Sequence, residues 1–262
     1  MVRRYGVKRT QVGELSLPAG PGPHPVVVLL HGGFWHAMYG RRLMSKLAAD
    51  LAAKGVAAWN LDYRGIGGGG GWPATFDDVA AGIDALAAVP SLDLTRVTAI
   101  GHSAGGQLAL WAAARPGLPA GVPGSAPAVT VTAAVALAGV VDLVDADRRG
   151  IGGGAVAQLL GGRSEQVTER YRLASPIERL PLGVPQLLIH GVRDRHVPAD
   201  MSERYAEAAQ AAGDPVDLAV RHDVGHMDLI DPRSPGWAVA VNWLLRGSSY
   251  FGGKQRPRAP PP

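Results

Sequence analysis

There is no cysteine anywhere in this chain. That excludes disulfides and thiolate metal sites, so the fold must be held by packing alone. No apolar run is long enough to span a bilayer, and Met1 to Arg9 lacks the apolar stretch of a secretory signal, so the cytoplasm is the default expectation. Aromatics are scarce at 6%, and no repeat is visible. Acids are absent from residues 1–9 and 254–262, which together carry seven cations, Arg3, Arg4, Lys8, Arg9, Lys254, Arg256 and Arg258. The formal net charge of +4 less those seven leaves −3 for residues 10–253. The body is mildly acidic, nucleic acid is not expected as a partner, and the basic ends read as solvated tails.

What is present is a core. With 47% hydrophobic residues in 262, the chain can bury one full interior, and residues 1–247 read as a single α/β domain. Alternation in Gln11–Leu17 predicts an antiparallel edge strand. The β-branched run Val26–Leu30 predicts a strand buried on both faces. Leu43, Leu47 and Leu51 mark a helix over Tyr39–Lys54, closed by Gly55. Strand Val56–Leu61 and a glycine-rich loop follow, then a helix that Thr75 should cap with Asp78 three residues on. Further strands are expected at Val97–Ile100, Ala133–Val140, Val184–Ile189 and Val216–Val220, with helices over Ala199–Ala212 and Pro235–Leu245. Strand and helix alternate, which predicts a mostly parallel sheet covered by helices on both faces. The pattern loosens over residues 142–180 into short helical pieces, read as a cap insertion; residues 248–262, basic and proline-rich, should be disordered.

The chemistry centres on Gly101-His102-Ser103-Ala104-Gly105-Gly106. Chance composition predicts about 0.2 Gly-x-Ser-x-Gly patterns in such a chain, so the match alone is weak. Its context is what counts: a buried strand ends at Gly101, and a helix follows. Glycines two before and two after the serine permit a turn otherwise closed by collision, and that turn lifts Ser103 beside a helix N-terminus.

A serine hydroxyl needs a base, and the base needs an orienting acid. In a parallel sheet such groups gather just past the carboxyl ends of strands. Of the histidines there, His31 and His190 are expected to hold backbone, and His102 to point away from its neighbour Ser103. His226 is the favoured base, on a loop able to fold back over the elbow, with His222 as the fallback. Asp194 is the favoured acid, with Asp142 second; Asp62 is expected to pair with Arg64 or cap the glycine loop. Donors for an oxyanion would be the N–H groups of Ala104, Gly33 and Phe34. Trp35, Tyr39 and Trp72 are candidates for lining an acyl or aryl pocket.

Together His31-Gly32-Gly33-Phe34-Trp35, Gly101–Gly106, His190-Gly191-x-x-Asp194-x-x-Val197-Pro198 and Gly225-His226 resemble the α/β-hydrolase fold enzymes from about Val26 to Leu245. The resemblance is to the esterase and lipase group, near kynurenine-formamidase-like (arylformamidase) and prolyl-oligopeptidase-type hydrolases. It implies a Ser103, His226 and Asp194 triad with no metal or organic cofactor, acting on a small-molecule ester or amide. A small carboxylic ester cleaved through an acyl-enzyme is the leading expectation. Arylformamidase, serine peptidase and a non-catalytic binding protein on the same fold are the alternatives. Phe34 stands where hormone-sensitive-lipase-like enzymes have glycine, which favours the formamidase-like branch, and the additional N-terminal domain of prolyl-oligopeptidase relatives is lacking.

Overall fold

The computed structural model describes residues 1–246; the tail expected to be disordered lies outside them. Eight strands form one sheet: β1 (Val2–Arg4), β2 (Val12–Ser16), β3 (His24–Leu30), β4 (Ala57–Leu61), β5 (Leu92–His102), β6 (Ala133–Leu137), β7 (Gln186–Gly191) and β8 (Val216–Arg221). Their spatial order is β1-β2-β4-β3-β5-β6-β7-β8. β3 to β8 run parallel; β1 and β2 are antiparallel additions on one edge, with Glu14 opposite Asn60 where β2 meets β4.

Alternate side chains of the central strands feed two cores, as a doubly covered parallel sheet requires. Val26, Val28 and Leu30 pack with Phe76 and Val79 of α2 (Ala74–Asp84), Leu108 and Trp111 of α3 (Ala104–Ala114), and Met201 and Tyr205 of α7 (Asp200–Ala211). Val27 and Leu29 pack on the other face with Leu47 and Leu51 of α1 (Ser45–Ala53) and Trp237 and Val241 of α8 (Pro235–Arg246). Between β6 and β7 the chain forms three short helices, α4 (Leu143–Arg148), α5 (Ala155–Leu160) and α6 (Thr168–Ala174). This segment is pinned to the body: Gln107 Nε2 donates to the Ala174 carbonyl (2.8 Å) and the Trp72 N–H to that of Leu159 (2.6 Å).

Several local expectations change. Val2–Arg4 is not a loose tail; its backbone pairs with β2, although its side chains stay exposed. The first helix begins only at Ser45 after a 3₁₀ turn, but it ends as anticipated: Gly55 at φ +84° donates to Ala52 and Val56 to Leu51, the pair of bonds of a Schellman motif. Thr75 lies inside α2 rather than capping it, because its hydroxyl donates to the Arg64 carbonyl (2.6 Å). Asp78, buried, is occupied by the Arg64 guanidinium and Gln11. β6 stops at Leu137 since Ala138 takes φ +49° and the chain turns away.

Candidate active site

The strand order reverses direction between β3 and β5, so the loops that leave these two neighbours run apart at the carboxyl end of the sheet, the end where parallel sheets hold ligands. Ser103 follows β5 and His31–Phe34 follows β3. Ser103 adopts φ +56°, ψ −119°, a conformation that costs a non-glycine residue about 1–3 kcal/mol. The flanking glycines enforce it: a Cβ at Gly101 would overlap the Gly105 carbonyl oxygen, and one at Gly105 the Leu30 carbonyl oxygen. α3 starts immediately at Ala104, so its first N–H groups, unpartnered within a helix, face the turn that carries Ser103.

The loop after β3 bends back on itself through three positive φ values, Gly33 (+111°), Phe34 (+47°) and Trp35 (+58°). At Gly33 a side chain would run into the Tyr39 ring. Gly32 is close to the elbow: a Cβ there would come 2.9 Å from His102 Nδ1 and 3.0 Å from Ser103 Cβ. Among the described residues, no protein acceptor takes the N–H of Phe34 or Ala104.

The aromatics separate. Trp35 is a core residue, not a pocket wall: it is fully buried and its indole N–H donates to Gln107 Oε1 (3.0 Å). Trp72 is half-buried and leans on Phe76, centroids 5.0 Å apart, against the core. Tyr39 is 46% exposed beside Gly33, and the Phe34 ring abuts Gly152 of the segment between β6 and β7.

The structure brings His226 and Asp194 together. His226 Nδ1 donates to Asp194 Oδ2 at 2.6 Å, and the carboxylate side chain has no exposed surface. Asp194 Oδ1 accepts the N–H groups of His196 (2.8 Å) and Val197 (2.9 Å), while His190 Nε2 lies 3.3 Å from Oδ2. Burial would raise this carboxyl's pKa; the hydrogen bonds from His190, His226 and Val197 outweigh it and hold the group well below the usual carboxylate range. His190 does hold backbone, through the Val197 carbonyl at 2.9 Å, and its Nδ1 meets Ser202 Oγ at 2.7 Å.

β8, which delivers His226, is three strands from β5, about 14 Å at the usual strand spacing. The loop that carries His226 nevertheless returns to the elbow. His102 Nε2 lies 2.9 Å from the His226 carbonyl, and their rings are 4.5 Å apart. Because a carbonyl only accepts, Nε2 carries the proton. Burial, and next the charge of His226, push the His102 pKa down to about 3, so it stays neutral at ordinary pH.

The other candidates fall elsewhere. His222 is exposed on the turn after β8. Asp142 caps α4 by accepting the Asp145 N–H (2.9 Å). Asp62 binds Arg41, its main-chain N–H at 2.6 Å and its guanidinium, rather than Arg64, which is taken by Asp78. His31 stacks on Tyr63 at 4.2 Å, whose hydroxyl donates to the His31 carbonyl. A cavity of about 640 Å³, lined by Thr98, Pro185, Pro215 and Trp243, sits at the opposite end of the strands and holds none of these groups.

Two side chains that sequence reasoning passed over matter here. One is His102, set aside for pointing away from Ser103, which it does in order to reach His226. The other is Gln107, which ties the β3 loop to α6; the signal for it was present, a lone polar residue in the otherwise apolar and glycine sequence of α3.

Comparison with known proteins agrees with this architecture. Esterase LipC of Mycobacterium tuberculosis (strain ATCC 25618 / H37Rv) is 29% identical over 251 residues, 87% of this chain and 60% of that protein. Isoprenylcysteine alpha-carbonyl methylesterase ICME of Arabidopsis thaliana is 28% identical over 249 residues, 88% of this chain and 58% of the relative. The chain thus spans about three fifths of the length of these curated relatives. Among solved structures, a truncated carbohydrate esterase from gut microbiota superposes with TM-score 0.78 at 21% identity, covering 94% of this chain and 95% of that one. Esterase Est2 of Thermogutta terrifontis, solved with propionate bound, gives 0.74 at 22% identity, covering 96% and 92%. These likenesses and the eight-stranded sheet make the fold an α/β-hydrolase fold. The sequence model of the family described as BD-FAE matches residues 14–208, and the chain belongs to that family.

Proposed function

We propose that this protein is a serine hydrolase that cleaves a small carboxylic ester through an acyl-enzyme. The observation that carries the proposal is the 2.6 Å hydrogen bond from His226 to a buried Asp194, on a loop that His102 holds against the Ser103 elbow. In this reading Ser103 Oγ adds to the ester carbonyl carbon while His226 Nε2 takes its proton. The oxyanion is received by the N–H of Ala104 with those of Gly33 and Phe34, each such donor contributing about 3 kcal/mol to the transition state. The C–O bond to the alcohol breaks as His226 returns the proton to the departing oxygen. Water, deprotonated by the same histidine, then frees the acid and restores Ser103. Asp194 remains ionised throughout and stabilises the imidazolium. The names of the relatives support an ester over an N-formyl amide or a peptide as substrate.

The test is intact-mass spectrometry after exposure to a fluorophosphonate, beside Ser103→Ala, with a turnover screen of short acyl esters and N-formylkynurenine. One adduct, absent in the variant, with turnover of esters, is the expected result. Absence of any adduct on folded wild-type protein overturns the assignment of Ser103. Turnover confined to N-formylkynurenine replaces esterase by arylformamidase.

A further inference from the structure

The hydrogen bonds of the site divide it into two bodies. The loops after β7 and β8 are tied to each other: Arg193 N–H donates to the Val224 carbonyl (3.3 Å), and His226 to Asp194 (2.6 Å). Gly191 meets Val224 so closely that a Cβ there would overlap its carbonyl oxygen. Acid and base therefore move together. Ser103 and the β3 loop make the second body, joined by the Gly32–elbow approach and by the Leu30 carbonyl lying against Gly105. Among the described residues, one side-chain hydrogen bond crosses from the elbow to the base loop, His102 Nε2–H to the His226 carbonyl.

His102 touches every part that must stay in register. Its backbone is the residue before the nucleophile, its Nδ1 and carbonyl oxygen lie where a Cβ on Gly32 would come within 2.9 Å, and its ring packs on that of His226. The side chain is 2% exposed, so water does not compete for the bond.

We propose that His102 is a positioning residue for the reaction: its Nε2–H fixes the distance between the base and the nucleophile, while the bond from Nδ1 to Asp194 sets the tautomer of the base. The inference rests on the function proposed above. Losing the bond leaves the Asp194–His226 pair intact but releases the whole pair from Ser103, and a misplacement of about 1 Å in such a constellation costs on the order of 10²-fold in rate. The bond touches no part of the β3 loop that would receive substrate, so KM is expected to stay as it is.

The experiment compares His102→Leu and His102→Gln with the wild type, measuring kcat and KM for p-nitrophenyl acetate, the rate of fluorophosphonate labelling, and Tm. The Gln amide nitrogen can take the place of Nε2 and donate to the His226 carbonyl; Leu fills the volume without a donor. The expected result is a fall of about 10²-fold in kcat and in labelling rate for Leu, with KM within about threefold of the wild type, and recovery in Gln to within about tenfold. Should Leu not fold, His102→Asn, whose amide stops short of the carbonyl, takes its place with the same expectation. Wild-type kinetics in the donor-free variant overturn the proposal. So do equal losses in Leu and Gln accompanied by equal falls in Tm, which would make His102 a packing residue. A wild-type protein that neither labels nor turns over any ester overturns the proposed function itself, an outcome separate from both.

Discussion

Replacing Asp194 by Asn tests the proposed acid with little change of shape, and the surrounding donors fix the result. Oδ1 accepts two main-chain N–H groups, from His196 and Val197. The amide of Asn must therefore keep its oxygen on that side, because its NH₂ would meet two more donors there. The NH₂ is left facing His226 Nδ1, which now accepts instead of donating, while the nearby His190 Nε2–H keeps the Val197 carbonyl as its acceptor. The imidazole proton then sits on Nε2, the nitrogen that in the proposed mechanism takes the proton of Ser103. Loss of the correct tautomer in such a triad lowers kcat by about 10⁴-fold, or about 5.5 kcal/mol of transition-state stabilisation. KM should change little, since the carboxylate side chain is fully enclosed. Initial rates on p-nitrophenyl butyrate, with Tm measured alongside, provide the assay. A fall of less than tenfold for Asp194→Asn, with a larger one for Asp142→Asn, would refute the tautomer argument and move the acid to the cap of α4.

Further outcomes follow from the same geometry. Ser103→Gly should abolish turnover and fluorophosphonate labelling yet stabilise the fold by about 1 kcal/mol in urea unfolding, because φ +56° is unstrained for glycine. Since Asp194 has a folded pKa below its unfolded value of about 3.9, it contributes stability above that pH and loses it as pH falls toward the folded value. The Tm difference between wild type and Asp194→Asn should accordingly shrink as pH is lowered from 5 to about 2.5; a constant difference would count against a depressed carboxyl. Trp35→Phe leaves Gln107 Oε1 buried without its donor and should cost about 1–3 kcal/mol of stability with KM unchanged, whereas a pocket wall would show the reverse. Gly105→Ala should cost at least about 3 kcal/mol through its overlap with Leu30, while Gly117→Ala, with open space around it, should be neutral or stabilising by up to about 1 kcal/mol in the same titrations.

The elements of the candidate site were legible because each is bounded by a residue with one physical use. Val26–Leu30 and Val97–Ile100 announce themselves as doubly buried strands, and Gly101 and Gly105 mark a turn that no side chain permits. Strand-end position left Asp62, Asp142 and Asp194 open as partners of His226; the order serine, acid, histidine along the chain favoured Asp194, and it is Asp194 that His226 bonds. Ranking the aromatics was harder. Trp35 and Tyr39 stand four residues apart on one loop, yet the first turns into the core and the second outward, a choice made by Gln107 from a distant helix. Ion-pair partners were equally hidden: Asp62, two residues from Arg64, binds Arg41, and Arg64 reaches Asp78 across the glycine loop. Local adjacency says little where the sheet decides who meets whom. The short strand β1 carries no hydrophobic signal, since its side chains are exposed and only its backbone is paired.

The crowding at the elbow has an evolutionary corollary. Ser103 sits on the turn that Gly101 and Gly105 make possible, and one base change can replace it. Gly101 and Gly105 carry no reactive group, but the backbone of β3, β5 and α3 closes around them so tightly that any other residue unmakes the turn. On the proposed function, a lineage of such chains can thus discard the reaction in a single step and keep the fold, while the empty cradle persists. An elbow with its glycines but without its serine would be the relic of a lost activity, and regaining it would need only one substitution.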